Sequence, residues 1–305
     1  MAQIVLVHGI AQEHASAESL ERDWTPALSD GVRDGGFGPV GDRIWQRRAD
    51  PGGITTRMAA YGDLFLDGGA RGAGLDQLDA EQQELAGRIA AEWLGRAATR
   101  SPNPADRDVA AMELDQLRGR PGEERGLWSV ARRAIAGAAR IRWFAKAGMP
   151  VAQLVNESLV QVTRYLTEDG LRQKAIDRVL AHLGDDTRVL VGHSLGSVVA
   201  FEAAHQYDRP LPLLVTLGSP LGLRTVIYDR LRPAPPSYPR NVARWENIAD
   251  PDDVVAAEPN LTGMFGTVPA GCRFSSHRTD NGAQPHSATF YLGKAVTGRP
   301  VGEAF

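Results

Sequence analysis

The chain has 305 residues, enough for one large α/β domain or for a core domain carrying an insertion. Its 43% apolar and 23% charged residues are ordinary for a globular protein, and a net charge of −3 gives no global attraction to nucleic acid. The lone cysteine, Cys272, excludes an intramolecular disulfide and a thiolate zinc cluster.

In chain order, the first pattern is the apolar run Ile4 to Val7, ended at once by His8-Gly9. No basic-apolar leader precedes it, and no window approaches the roughly eighteen uninterrupted apolar residues of a membrane span. A soluble, cytoplasmic protein with no transmembrane segment is expected. Helical spacing follows over Ser16 to Val32, then a strand-like segment, Ile54 to Tyr61. Further on, Leu171 to Leu183 carries an apolar stripe at helical spacing, and Val189 to Val191 is a second apolar run. Ser197 to Tyr207 reads as helix, Leu211 to Leu217 and Val242 to Ile248 as strands. Arg273 to Arg278 is a last strand candidate before a closing helix, Ser287 to Val296. Short, non-alternating apolar runs bounded by Gly, Pro or Asp suit strands covered on both faces. Their alternation with helices predicts an α/β fold, a mainly parallel sheet flanked by helices.

Residues 66–167 break the alternation. Leu78 to Leu94, Ala105 to Leu117, Leu127 to Ala147 and Val151 to Leu166 are all helical in pattern. Glycine-rich (67–74) and proline-containing (101–104) stretches separate some of them. The expected organisation is a core of residues 1–65 and 168–305 with a large helical cap or lid inserted over 66–167. Arg232 to Pro239 is proline-rich and reads as an irregular loop.

The decisive motif is Gly192-His193-Ser194-Leu195-Gly196, with Val189 to Val191 before it and small residues after it. A serine on a sharp strand-to-helix turn sits in strained backbone. Side chains two residues to either side would collide with the chain crossing there, hence the glycines. The turn exposes the hydroxyl and leaves the Leu195 amide free to donate to an oxyanion.

GHSLGSVVA resembles the nucleophile elbow of lipases, esterases and related α/β hydrolases, and IVLVHGI resembles their first core strand and oxyanion loop. The resemblance implies an α/β-hydrolase fold with Ser194 as nucleophile and the amides of Ile10 and Leu195 as oxyanion hole. Since the strand pattern starts at Ile4, it also implies a minimal core without leading antiparallel strands. Serine needs a base and the base an orienting carboxylate. In this fold the chain order is serine, acid, histidine. His286, in a loop before the last helix, matches the family's position for the base; His277 is the alternative, and His205 falls inside a helix. Family members often carry an Asp followed by two small apolar residues, which matches Asp253-Val254-Val255. Asp250 is the alternative acid, and Asp252 comes last. His8 and His193 are expected to pack or hydrogen-bond around the loops, and Ser219 to cap a turn.

Arg132, Arg133, Arg140, Arg142 and Lys146 surround an apolar stripe (Leu127, Ala131, Ala134, Ala138, Ile141), with Trp143 and Phe144 nearby. A solvated helix face explains this; the alternatives are a lipid-surface contact or an acidic carrier-protein partner through residues 127–147. No metal or dinucleotide motif occurs, so no metal and no cofactor are expected. The resemblance thus implies hydrolysis of a carboxylic ester through an acyl-enzyme. A small-molecule acyl substrate of modest size with an apolar acyl part is expected, because a cap rich in Leu, Ile, Ala and Trp should line the entrance. Thioesterase, peptidase and acyltransferase use the same triad, and a catalytically silent receptor or scaffold is the reading from another class.

Overall fold

The computed structural model describes residues 1–46, 52–66, 74–118, 127–141, 151–256 and 258–305. It divides into two compact units, Met1–Tyr61 with Gln173–Phe305, and Gly62–Arg172.

The first unit holds six strands: β1 (Ile4–Val7), β2 (Thr56–Ala59), β3 (Val189–His193), β4 (Leu211–Leu217), β5 (Val242–Ala249) and β6 (Arg273–Arg278). They form one sheet in the order β2-β1-β3-β4-β5-β6, and every pairing is parallel. All six runs singled out by pattern contribute a strand; Ile54 to Tyr61 does so only over its middle. β1 and β3 are buried along their whole length, the reason their sequences do not alternate.

Register aligns Ile4, Val189 and Leu213 across the sheet, and Leu6, Val191 and Val215 two residues further on. This face packs against Leu20, Trp24, Leu28 and Val32 of α1 (Ala17–Asp34) and Val301 of the C-terminal helix. Those α1 residues recur at helical spacing, and each fully buried side chain of this kind is worth about 1.5–3 kcal/mol. Helix α2 (Gly38–Trp45), not anticipated from the pattern, packs on α1. Its opening Gly-Pro-Val-Gly looks like a turn, yet proline is tolerated in a helix's first turn, where an amide N–H would have no intrahelical acceptor.

α8 (Leu195–Gln206) covers the opposite face, where its Phe201 meets Trp245 of β5 at 5.5 Å between ring centroids. The closing helical pattern is two helices, α9 (Ala288–Leu292) and α10 (Ala295–Glu303), interrupted at Gly293-Lys294.

The second unit is helical. It contains α3 (Ala80–Arg100), α4 (Pro104–Arg118), α5 (Leu127–Ala138) and α6 (Val151–Thr167); α7 (Asp169–Leu180) carries the boundary between the units. A capping box opens α3: Asp79 accepts from the Gln82 amide and the Gln82 side chain accepts from the Asp79 amide. α3 and α5 approach closely where Gly87 faces Ala131. Of the basic stretch, Ala131, Ala134, Ala138 and Ile141 are buried, Arg132 and Arg133 face outward, and Arg140 pairs with Glu113. Arg142, Trp143, Phe144 and Lys146, like the glycine-rich residues 67–73, lie outside the described residues. Among the described residues no helix is long and apolar enough to cross a membrane.

Candidate active site

Parallel strands send all their C-terminal ends to one edge of the sheet, and ligands bind there where the strand order switches direction. The switch in this sheet lies between β1, from which the chain turns outward to β2, and β3, where it returns on the other side. The loop after β1 and the turn after β3 meet at that edge.

Ser194 joins β3 to α8 with φ 55° and ψ −131°, a left-handed backbone rare for a residue with a side chain. The turn demands its flanking glycines. A Cβ on Gly196 would come within 2.2 Å of the His8 carbonyl oxygen, and one on Gly192 within 2.5 Å of the Gly196 carbonyl oxygen. Ser197 Oγ braces the turn from within, 2.6 Å from the Ser194 carbonyl oxygen. The Leu195 amide stands at the first position of α8, where no intrahelical acceptor exists. Opposite it, the loop carrying Ile10 presses on the elbow: a Cβ built on Gly9 would lie 2.7 Å from Ser194 Cβ. His8 anchors that loop. Its Nε2 accepts from the Tyr61 amide at 3.0 Å, so Nδ1 carries the proton and donates to the Gly9 carbonyl at 2.7 Å.

His286 comes from the loop between β6 and α9. Its Nε2 is 3.0 Å from Ser194 Oγ and its Nδ1 is 2.8 Å from Asp253 Oδ2. A carboxylate can only accept here, so Nδ1 is the protonated nitrogen and Nε2 faces the serine as acceptor. Asp253 follows β5 and is fully buried. A buried charge needs donors, and four converge on this one. Oδ1 accepts from the amides of Val255 and Ala256, at 2.9 and 3.2 Å. Oδ2 accepts from His286 and from the Tyr291 hydroxyl, which lies 2.8 Å away. Gly218, with φ 52° after β4, leaves the space these groups occupy: a Cβ there would sit 2.8 Å from Asp253 Oδ2.

The alternative residues have other partners. His277 lies on β6, and its Nε2 is 2.6 Å from Oε2 of the buried Glu246, which also pairs with Arg244. Asp250 accepts from the Asp252 amide at 2.8 Å and the Asn281 amide at 2.5 Å, so it fastens the loop that carries His286 to the end of β5. Burial raises its carboxyl above the ordinary range, against the lowering effect of those two amides. His205 Nε2 donates to the Ser237 carbonyl, and Ser219 Oγ accepts from the Leu221 amide beside a short 3-10 turn. His193, next to the serine in sequence, donates from Nε2 to the His286 carbonyl at 3.0 Å. Burial, and then the neighbouring His286, hold its imidazole well below the ordinary histidine range.

Tyr291, Gly218 and Asn281 were not singled out by pattern. Tyr291 sits in Phe-Tyr-Leu, which reads as helix core; Gly218-Ser219-Pro220 announced a turn but not what the turn makes room for. Among the described residues, no three His, Cys, Asp or Glu side chains converge as metal ligands.

A parallel sheet with helices on both faces, bearing a serine on a strained strand-turn-helix at its C-terminal edge, defines the α/β-hydrolase fold. The family model described as alpha/beta hydrolase fold matches residues 172–248, from α7 through the elbow to β5. Over that stretch the chain is similar to the α/β-hydrolase superfamily, in keeping with its fold. No curated protein and no solved structure matches it.

Proposed function

We propose that the protein hydrolyses carboxylic esters through an acyl-enzyme on Ser194, with His286 as general base and Asp253 as its orienting carboxylate. The observation that carries this reading is the unbroken relay Asp253 Oδ2–His286–Ser194 Oγ, at 2.8 and 3.0 Å, ending on a serine in strained backbone. Serine is a poor nucleophile at neutral pH unless its proton is taken as it attacks, and Nε2 is the acceptor aligned for that.

Attack forms the bond from Ser194 Oγ to the acyl carbon and moves the hydroxyl proton to Nε2. The carbonyl oxygen gains the charge, and the amides of Leu195 and Ile10 are its proposed donors; loss of one such donor typically costs about 3 kcal/mol of barrier. Imidazolium then returns the proton to the leaving alcohol. Water repeats the sequence on the acyl-enzyme and regenerates the serine. Asp253 stabilises the imidazolium without taking its proton.

The helical segment between β2 and β3 is proposed as the cap that sets acyl preference, on its place in the chain order. The single cysteine fits a reducing compartment, and the cytoplasm is the proposed location.

The test is labelling by a fluorophosphonate probe, with Ser194→Ala as control, beside turnover of short and long p-nitrophenyl esters, a thioester and an anilide. Labelling lost in the variant together with ester turnover supports the proposal. Labelling with turnover confined to the thioester or anilide moves the assignment to a thioesterase or peptidase. A folded wild-type protein that neither labels nor turns over would overturn it in favour of a silent scaffold.

A further inference from the structure

The carboxylate oxygen that faces the imidazole has a second partner that the relay does not require. Tyr291 Oη lies 2.8 Å from Asp253 Oδ2 and 2.8 Å from the Asp250 amide nitrogen. An amide N–H can only donate, so the phenol accepts from Asp250 and its own proton points to Asp253. Tyr291 is fully buried, and burial, reinforced by the charge of Asp253, pushes its phenol well above the ordinary tyrosine range. The hydroxyl therefore keeps its proton throughout any working pH.

The same contacts tie the acid-bearing turn to the base-bearing loop at two points. Asp250 Oδ2 accepts from the Asn281 amide, and Asn281 Nδ2 donates to the Pro285 carbonyl at 3.0 Å, one residue before His286. Tyr291, five residues after His286, closes the other end on Asp250 and Asp253.

We propose that Tyr291 is a positioning residue of the site, whose hydroxyl holds Asp253 Oδ2 against His286 Nδ1 and tempers the basicity of that histidine. The proposal rests on the reading of Ser194, His286 and Asp253 as the catalytic triad. Its physics is simple. A carboxylate oxygen that accepts an extra hydrogen bond is a weaker partner for imidazolium, and one held by two donors does not swing. Without the phenolic O–H, Oδ1 stays tied to Val255 and Ala256 while Oδ2 keeps only the histidine. The imidazole becomes more basic and less well aimed. Among the described residues, contacts also bring to His286 and Asp253 the titratable groups His193, whose ring centroid is 4.7 Å from that of His286, and Asp250. Tyr291→Phe removes neither group; Asp250 loses the acceptor of its amide but keeps its carboxylate bonds to the Asp252 and Asn281 amides.

The experiment compares wild type, Tyr291→Phe, Asp253→Asn and the double variant on a p-nitrophenyl ester, with Ser194→Ala as blank and melting curves on each. Tyr291→Phe keeps the ring and so the packing. Expected are a roughly tenfold lower kcat, the kinetic weight of one hydrogen bond to a charged group, and a KM within about twofold. The rising limb of kcat/KM should move to higher pH, and the substitution should have no effect once Asp253 is Asn. Replacement of Tyr291 by 3-fluorotyrosine keeps the hydroxyl, makes it a stronger donor and should move the limb to lower pH; it serves equally if the phenylalanine variant does not fold. An unmoved limb in the variant that folds, or full additivity with Asp253→Asn, would overturn the proposal. Wild-type turnover that survives Ser194→Ala would instead remove the triad reading and this one with it.

Discussion

His286 and His277 both follow the elbow in the chain, and their neighbours separate them. His286 reaches Ser194 on one side and Asp253 on the other. His277 is held by Glu246, a buried carboxylate that Arg244 also engages. His286→Ala should lower kcat by about 10⁴-fold or more, the range seen when a triad member is removed, whereas His277→Ala should retain most turnover. Steady-state assays of the two variants decide it, and the reverse ranking would move the base to His277. His193 makes a different prediction. It is buried and stays neutral well below the usual histidine value of 6.5, and burial lowers His205 too. Below about pH 6.5 the unfolded chain takes up protons at these positions while the folded chain does not, so stability falls as pH falls. The loss is at most about 1.4 kcal/mol per pH unit for each group. The melting temperature should therefore drop between pH 7 and 5, and His193→Gln, which keeps a donor but does not titrate, should flatten that slope. An equal slope in the variant would assign the acid sensitivity elsewhere.

Among the elements, the strands were the most legible. The central runs β1 and β3 are short, apolar and bounded by turn residues because they are buried on both faces, so composition marks them. The mostly polar edge strand β6, in contrast, is largely half-buried or exposed and was placed by its position before the closing helix. Helix ends and breaks were less so. The pattern over 287–296 is continuous, yet the helix stops at Gly293 and restarts at Ala295, since Tyr291 and Leu292 must face the sheet while α10 crosses α1. α2 hid behind glycine and proline that the first turn of a helix accepts. The cap of α3 is an element-scale feature that can be tested alone. Asp79 satisfies an otherwise unpaired amide of the first turn, and Asp79→Ala should cost about 1 kcal/mol. A chemical-denaturation midpoint should fall accordingly, without change in ester turnover, because the cap lies in the helical unit and away from the relay in the chain. No change in the midpoint would mean that packing, not capping, sets the stability of α3.

At the scale of the whole molecule, the chain leaves the sheet after β2 and returns to it in α7. Ala60 and Arg178 mark the two ends, and they touch: Arg178 Nη1 donates to the Ala60 carbonyl at 3.1 Å. The points of departure and return are thus close enough for a short bridge. Replacement of 62–172 by a Gly/Ser linker should leave a folded sheet unit that still labels at Ser194 but with altered preference among p-nitrophenyl chain lengths. Retention of the wild-type profile would remove the role proposed for the helical segment, and failure to fold, seen by circular dichroism, would show that the sheet unit depends on it.

What the sequence determined by itself is local: the strand runs, the alternation with helices that makes them parallel, and a serine between glycines on a strand-turn-helix. These are legible because burial and backbone geometry act on neighbouring residues, where spacing records them. The proposed base and acid, His286 and Asp253, were named only through chain order and resemblance, with His277 and Asp250 left as alternatives. Only the tertiary structure brings positions 194, 253 and 286 within hydrogen-bond distance of one another, beyond the ends of three strands. It alone introduced Tyr291, Gly218 and Asn281, whose sequence surroundings carry no mark of their partners. A hydrogen bond between residues dozens of positions apart depends on sheet register and loop path, which no local pattern encodes.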